Sequence, residues 1–430
     1  MLQKLLNDVL VGIKPSKEEI LEERAFANEI IKKIRNVIKR DASNASVILT
    51  GSVAKGTFLR KNKDTDVFIL FPLTIKKQDF REIVENTVKK SLPKYHYELK
   101  YAEHPYARVY VKEKRIDVVP AYKITDASQL KSAVDRTVLH TKFILRVLRK
   151  HQVNDVLLLK KFLKSASLYG AEIKVQGFSG YLCELLIINY KNFLTLLRKI
   201  SRLNKNDKTL FIDIKKYHKT KSDILSAQKK FNTPLIVIDP TDKSRNVAAA
   251  VSEKSFYALI NIAKKFLHKP SKSFFDDEKT FEEKLASLKK KQNVYLISTK
   301  RSNVVDDILW GQLRKLEKLL LDYLQKNDFN VLEKLHEVNE KNALIVLRFK
   351  EESLSEKKLI KGPNLKFAEN VKAFKAAHKN AKFLIKNKCI HAYVKRNIIT
   401  VNQAFDRFLK TTIFPSHFKG FSVKIVKLKK

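Results

Sequence analysis

The chain has 430 residues, 44% of them hydrophobic and 10% aromatic, which excludes a disordered polymer and predicts about two to four folded domains. Eighty-eight Lys and Arg against 45 Asp and Glu leave a net charge of +43; that excess costs self-repulsion and points to a polyanionic partner, although a general Lys richness would also produce it. Nucleic acid is favoured over a membrane surface, because no helix-length apolar run is present. Cys183 and Cys389 are far apart and lack metal-ligand spacing, so a reduced chain without zinc is expected. Residues 1–15 lack the pattern of a signal peptide, and a cytoplasmic protein is the expectation.

In chain order, Ser16 and Glu19 form a capping-box pattern, and Ile20, Ala27, Ile30, Ile31, Ile34 and Ile38 recur at helical spacing, predicting an amphipathic helix to about residue 40. Strands are predicted at 46–49, 67–71, 95–100, 107–111 and 116–119, the last two joined tightly through 112–114. This order implies a small mixed sheet with helices on one face. Helices follow at 140–150, 155–165 and 179–200, strands at 209–214 and 234–239, and a helix at 247–267. Residues 269–273, KPSKS, form the best linker candidate. A second α/β unit is expected from strands at 294–298, 331–335 and 343–349 and a helix at 306–325, followed by a basic helical stretch at 367–386 and a mixed tail.

The stretch GSVAKGTFLRKNKDTDVFILF, residues 51–71, carries the chemistry. Side chains alternate along a strand, so Asp64 and Asp66 share a face, roughly 7 Å apart at Cα. Phe68 and Leu70 continue that face inward, while Val67, Ile69 and Phe71 fill the other. Asp117 interrupts a second buried run, IDVV, where an unpaired carboxylate is expensive. Three clustered carboxylates repel one another, and a divalent cation relieves the repulsion; hard oxygen donors select Mg²⁺ or Mn²⁺. Two such ions about 4 Å apart activate an attacking hydroxyl and stabilise a leaving oxygen. Backbone N–H groups around Gly51 and Ser52 would cradle phosphates, with Lys55 and Thr57 adding a charge and a hydroxyl. The alternative is a plain turn beside acids that solvate a strand end; the ordered set favours nucleotidyl transfer.

The turn, the Asp-x-Asp and the later Asp resemble the DNA polymerase β-type nucleotidyltransferase superfamily. YAEHPY at 101–106, IDVVP at 116–120, SAVDRT at 132–137, YGAE at 169–172, GFSGYLCELL at 177–186 and DPTDKSRNVAA at 239–249 resemble the archaeal, class I CCA-adding enzymes. The resemblance is dense over 46–260 and thinner afterwards, where 304–307 and 362–371 still fit. It implies an α+β multidomain fold: a mixed-sheet nucleotidyltransferase head over 1–139, a helical central neck over 140–268, and a C-terminal body with an RNP-like α/β tail over 274–430. The activity it implies is addition of C, C and A to the 3′ end of tRNA from CTP and ATP without a nucleic-acid template. Asp64, Asp66 and Asp117 match the catalytic, metal-holding carboxylates, with two Mg²⁺ as cofactors and Mn²⁺ as a substitute. Ser52, His140, Lys160 and Tyr169 fall where the family contacts the triphosphate, and Arg245 with Asn246 where it reads the base.

On chemistry alone these positions stay open. Lys160 and Lys164 share a helix face and could be solvated charges; His140 could be a capping or surface group, and Tyr169 a half-buried core residue. Arg245 could read acceptors on cytosine or adenine, or pair with Asp239 or Asp242. Basic residues around 284–291, 372–388 and the closing LKK, interleaved with Phe367, Phe374, Phe383 and Tyr393, suit an RNA duplex held by phosphate and 2′-OH contacts. They would take the acceptor and T arm of tRNA. Monomer and homodimer are both open. The rival functions are another RNA terminal transferase, a poly(A) or oligo(U) polymerase, and a non-catalytic tRNA-binding protein on the same scaffold.

Overall fold

A computed structural model describes residues 2–41, 44–61, 64–101, 105–204, 209–413 and 424–428. The chain forms two compact units, Met1–Glu278 and Lys279–Lys430.

The first unit opens with α1 (Leu2–Ile13) and α2 (Lys17–Asp41), then β1 (Ser46–Thr50), α3 (Gly51–Lys55), β2 (Asp64–Phe71), α4 (Phe80–Ser91), β3 (His96–Tyr101), β4 (Pro105–Val111) and β5 (Lys114–Tyr122). The capping box forms: Ser16 Oγ accepts from the Glu19 N–H at 3.1 Å, and Glu19 accepts from the Ser16 N–H at 2.6 Å. The strands make one five-stranded mixed sheet ordered β1-β2-β5-β4-β3, with β2 and β5 parallel. Strand alternation sorts its two faces. Val67, Ile69 and Phe71 join Ile30, Ile34, Val84 and Val88 in a core under α2 and α4, whereas Phe68 and Leu70 meet Ala121 and Val138 on the other side. Asp64 and Asp66 share the parity of Phe68 and Leu70, so they stand at the open end of that second face.

The chain continues through α5 (Arg136–Val147), α6 (Gln152–Ser165), α7 (Gly180–Tyr190), α8 (Phe193–Ser201), β6 (Leu210–Ile212), α9 (Lys221–Phe231), β7 (Leu235–Asp239), β8 (Asp242–Asn246) and α10 (Glu253–His268). The single helix expected at 179–200 is broken because Lys191 takes φ 74° and Asn192 caps α8 by accepting from the Thr195 N–H. The helix expected from 247 starts only at Glu253, where Ser252 supplies the cap. Leu6 and Val9 of α1 belong to this helical core, packed with Val156, Leu159 and Phe162. The suggested linker at 269–273 leads into a short 3₁₀ turn, Lys272–Phe275, whose Phe275 is buried in the same core.

The second unit contains α11 (Phe281–Lys289), β9 (Val294–Lys300), α12 (Asp306–Lys326), β10 (Val331–Val338), β11 (Asn342–Phe349), β12 (Lys357–Asn364), α13 (Ala368–Ala377), β13 (Lys382–Lys386), β14 (Cys389–Lys395), α14 (Val401–Thr411) and β15 (Lys424–Leu428). Its sheets are ordered β10-β11-β9-β15 and β12-β14-β13. The helix expected over 367–386 ends at Ala377. Residues 382–386 pair with β14 through a tight turn in which Asn387 and Lys388 take φ 50° and 58°, the positive pair that a two-residue hairpin requires. The multidomain α+β reading holds. Of the sequence features noted above, residues 62–63 of the 51–71 stretch, 102–104 of YAEHPY and the last two lysines lie outside the described residues. No helix among the described residues is long and apolar enough to cross a membrane.

Candidate active site

Gly51 follows β1 directly and starts α3 with φ 67°. A Cβ there would lie 1.8 Å from Oδ2 of Asp66, so only glycine lets this carboxylate sit against the turn. Thr50 pairs with Asp66 across β1 and β2. On the other side β2 runs parallel to β5 in a register that sets Asp66 beside Asp117 and Asp64 beside Arg115.

Two arginines are woven into this acidic cluster. Arg108, opposite Asp117 on β4, donates to it through Nε at 2.7 Å and Nη2 at 2.8 Å, a bidentate pair. Arg115 holds Asp64 at 2.7 Å. Asp66 forms no ion pair among the described residues, and its pKa is pushed up to about 6, first by burial and then by the neighbouring Asp117 and Asp64. With two of the three acids turned to arginine, no group of three His, Cys, Asp or Glu among the described residues is gathered closely enough to hold a metal ion. The donor set still fits a hard divalent cation: three carboxylates lie on adjacent strands, and the central one has no direct ion pair among the described residues, with Lys55 and Arg108 offsetting only part of the repulsion.

Behind the turn lies a second charged group. Lys55 Nζ donates to Glu184 Oε2 at 2.6 Å, and Thr57 Oγ1 donates to Oε1 at 2.6 Å. Lys160 on α6 donates to the Thr57 carbonyl at 2.8 Å and to its Oγ1 at 3.3 Å. Burial alone would raise the Glu184 pKa, but Lys55 and Lys160 outweigh it and hold the carboxylate below its ordinary range. Lys160 is thus buried rather than a solvated helix charge, whereas Lys164 is exposed and lies over the Tyr169 ring at 5.5 Å. The Tyr169 phenol, its pKa pushed up by burial, faces Gly180 at the start of α7, as does Lys160.

A third group centres on Asp239 at the end of β7, which is fully buried. It accepts from Arg245 at 2.9 Å, from Tyr181 at 3.2 Å and from Thr241, and its Oδ2 lies 2.8 Å from Nε2 of His140. Burial would raise this acid, but His140 and Thr241 hold it well below the usual carboxylate range. Burial lowers the His140 pKa against the opposing pull of Asp239, and the imidazole stacks on Tyr181 with ring centroids 3.8 Å apart. Arg245 borders a cleft of about 470 Å³ with Arg136, Ser179, Phe231 and Asp242. Asn246 lines the cleft too, but its amide is engaged by the fold: Oδ1 accepts from the Val237 and Ala248 N–H groups, and Nδ2 donates to Thr233 and the Leu235 carbonyl.

The structure therefore brings Gly51, Ser52, Asp64, Asp66 and Asp117 together where β1 passes into α3 and the interior strands β2 and β5 begin, with Lys55, Lys160 and Tyr169 behind them and His140 and Arg245 on the Asp239 group. Glu184, Arg108 and Arg115 were not singled out from sequence. For Glu184 a signal existed: it is the one charged residue in the apolar run YLCELLII. Asp135 of SAVDRT is likewise buried, but it accepts from the Tyr122 and Ser132 N–H groups and locks the end of β5.

Three family patterns match in succession: the nucleotidyltransferase domain over residues 31–140, the tRNA nucleotidyltransferase second domain over 154–276, and the CCA-adding enzyme C-terminal domain over 290–414. Among curated proteins, the CCA-adding enzyme of Methanocaldococcus jannaschii is 33% identical, covering 99% of this chain and 96% of its own length. That of Sulfurisphaera tokodaii is 34% identical over 87% of this chain and 84% of its own, and that of Archaeoglobus fulgidus 30% over 95% and 90%.

Proposed function

We propose, for a chain that belongs to the CCA-adding enzyme family, that it adds C, C and A to the 3′ end of tRNA, consuming CTP and ATP and releasing pyrophosphate. The observation that carries this reading is the acidic cluster: Asp66 stands against the Gly51 turn without a direct ion pair among the described residues, in register with Asp117.

Asp64, Asp66 and Asp117 would hold two divalent ions, Mg²⁺ or Mn²⁺, whose chemistry when bound is activation of the attacking hydroxyl and neutralisation of phosphate charge. The tRNA 3′-hydroxyl gives up its proton to solvent as it attacks the α-phosphorus; a new O–P bond forms, the bond to the β-phosphate oxygen breaks, and pyrophosphate leaves with the electron pair. The Gly51–Ser52 turn lets the phosphates approach the backbone closely. Lys55 and Lys160 place positive charge behind them; Tyr169, whose hydroxyl stands with Lys160 beside Gly180, and His140, held on Asp239, would add contacts to the triphosphate. Little covalent chemistry is asked of the protein, so positioning and electrostatics dominate. Arg245, held at one nitrogen by Asp239, keeps donors of its planar fork for the acceptor edge of cytosine or adenine. Asn246 supports that strand from behind. In the division into a catalytic part over 1–139, a neck over 140–268 and a basic region over 274–430, α1 and Phe275 pack with the neck; the basic region beyond them grips the acceptor and T arm of the tRNA. Cytoplasmic location, as a monomer or a homodimer, completes the reading.

The test offers tRNA ending at the discriminator base with Mg²⁺. CTP alone should give two additions, and CTP with ATP should give three and stop. Indefinite tailing would mark a poly(A) or oligo(U) polymerase. Absence of incorporation with both Mg²⁺ and Mn²⁺ would leave only the non-catalytic tRNA-binding reading.

A further inference from the structure

We propose that Glu184 is a positioning residue that aims Lys55 and Lys160 at the nucleotide triphosphate, a role that rests on the function proposed above. Glu184 is completely buried in α7, whose neighbouring residues Leu182, Cys183, Leu185, Leu186 and Ile187 are buried apolar side chains. A carboxylate in such surroundings is costly unless both oxygens are engaged. Here Oε2 takes the Lys55 ammonium at 2.6 Å, Oε1 takes the Thr57 hydroxyl at 2.6 Å, and Lys160 Nζ lies 3.6 Å from Oε1.

The partners come from two places. Lys55 and Thr57 close the phosphate turn after β1, whereas Lys160 and Glu184 lie on α6 and α7. One negative charge therefore holds two ammonium groups that would otherwise repel each other, and the cluster keeps a net positive charge. Each ammonium has three donors. Lys55 spends one on Glu184, and Lys160 spends two on Thr57. Gly180 carries no side chain to cover Lys160: a Cβ there would stand 3.5 Å from its Nζ and 3.0 Å from the Tyr169 hydroxyl. The carboxylate itself is sealed from the cleft and touches no reacting atom.

The test is Glu184→Gln in the full chain, with kcat and KM measured separately for CTP and for tRNA lacking its CCA end. Binding of a fluorescent CTP analogue and thermal unfolding are read in parallel. The expected result is a loss of roughly 10- to 100-fold in kcat/KM for CTP, the scale of a misplaced binding group. KM for tRNA should be unchanged and analogue binding weaker. Thr57→Val removes two hydrogen bonds, the one to Glu184 and the one from Lys160, while keeping all three charges, and should fall in the same direction by less; Glu184→Asp should recover part of the loss. Wild-type kcat/KM for CTP in a folded Glu184→Gln protein would overturn the proposal. So would parallel losses for CTP and tRNA that track the melting temperature, or failure of both Glu184→Gln and Thr57→Val to fold, since each describes a scaffold residue. Failure of the wild-type chain to incorporate CMP would instead sink the function on which the proposal rests.

Discussion

Replacing Gly51 by Ala perturbs the acidic cluster by one methyl group. The new Cβ would lie 1.8 Å from Oδ2 of Asp66, where real Cβ atoms essentially never approach within 3.0 Å. The obstacle is a carboxylate on a short side chain of a sheet strand, so relief comes from moving Asp66 away from the turn. A retreat of about 1 Å in a reacting constellation costs on the order of 100-fold in rate, or about 2.7 kcal/mol in the barrier. The backbone adds a separate cost, because φ of 67° is a left-handed conformation in which a Cβ costs about 1–2 kcal/mol. Gly51→Ala should therefore melt a few degrees lower yet remain folded, while single-turnover incorporation of labelled CMP at saturating CTP and metal drops by about two orders of magnitude. Incorporation at the wild-type rate would refute the placement of Asp66 against the turn as a requirement of catalysis.

Asp66 also predicts a pH dependence. Its native pKa of about 6 lies above the ordinary value of 3.8, so between those values the native state holds a proton that the unfolded chain has lost. Stability from this group is present at low pH and is lost as pH rises through the window. Asp66→Asn should thus stabilise the metal-free protein at pH 8, by at most about 3 kcal/mol at 1.36 kcal/mol per pKa unit, and much less near pH 4, as read by urea unfolding. A bound cation competes with the same proton, so Mn²⁺ affinity should fall about tenfold per pH unit below that pKa and level off above it; an affinity flat through this range would contradict the assignment. Asn246→Ala should act on the fold: it strips partners from the buried Val237 and Ala248 N–H groups, each worth about 1–3 kcal/mol. Denaturant unfolding should show the loss and sequenced products no change in base choice, whereas altered base choice at full stability would place Asn246 in the base pocket.

Local patterns exposed the acids, and long-range register hid what they touch. Two-residue spacing put Asp64 and Asp66 on one face, and an Asp inside IDVV marked Asp117. The arginines that hold two of them depend on β5 lying parallel to β2 and antiparallel to β4, a pairing that no single strand encodes. Glu184 is similar: its place in an apolar helix advertises a buried charge, but Thr57 and Lys55 lie 127 and 129 residues away. The Asp239 group was half legible, since that acid stood among the possible partners of Arg245, while His140 and Tyr181 joined it only through the packing of α5 and α7. At 382–386 the Lys-rich KFLIK has no strong preference of its own, and pairing with β14 overrides the helical reading.

The packing of α1 has a consequence for how the chain is made. Leu6 and Val9 leave the ribosome ahead of their partners Val156, Leu159 and Phe162, which follow roughly 150 residues later, a delay on the order of 10 s at ordinary elongation rates. A helix of 12 residues is marginal in isolation. The sheet built by β1 to β5, with α2 and α4 on its face, can therefore assemble while the segment that precedes it is still unanchored. The first helix in the sequence is then among the last to dock, and its apolar stripe must stay clear of other chains until α6 emerges.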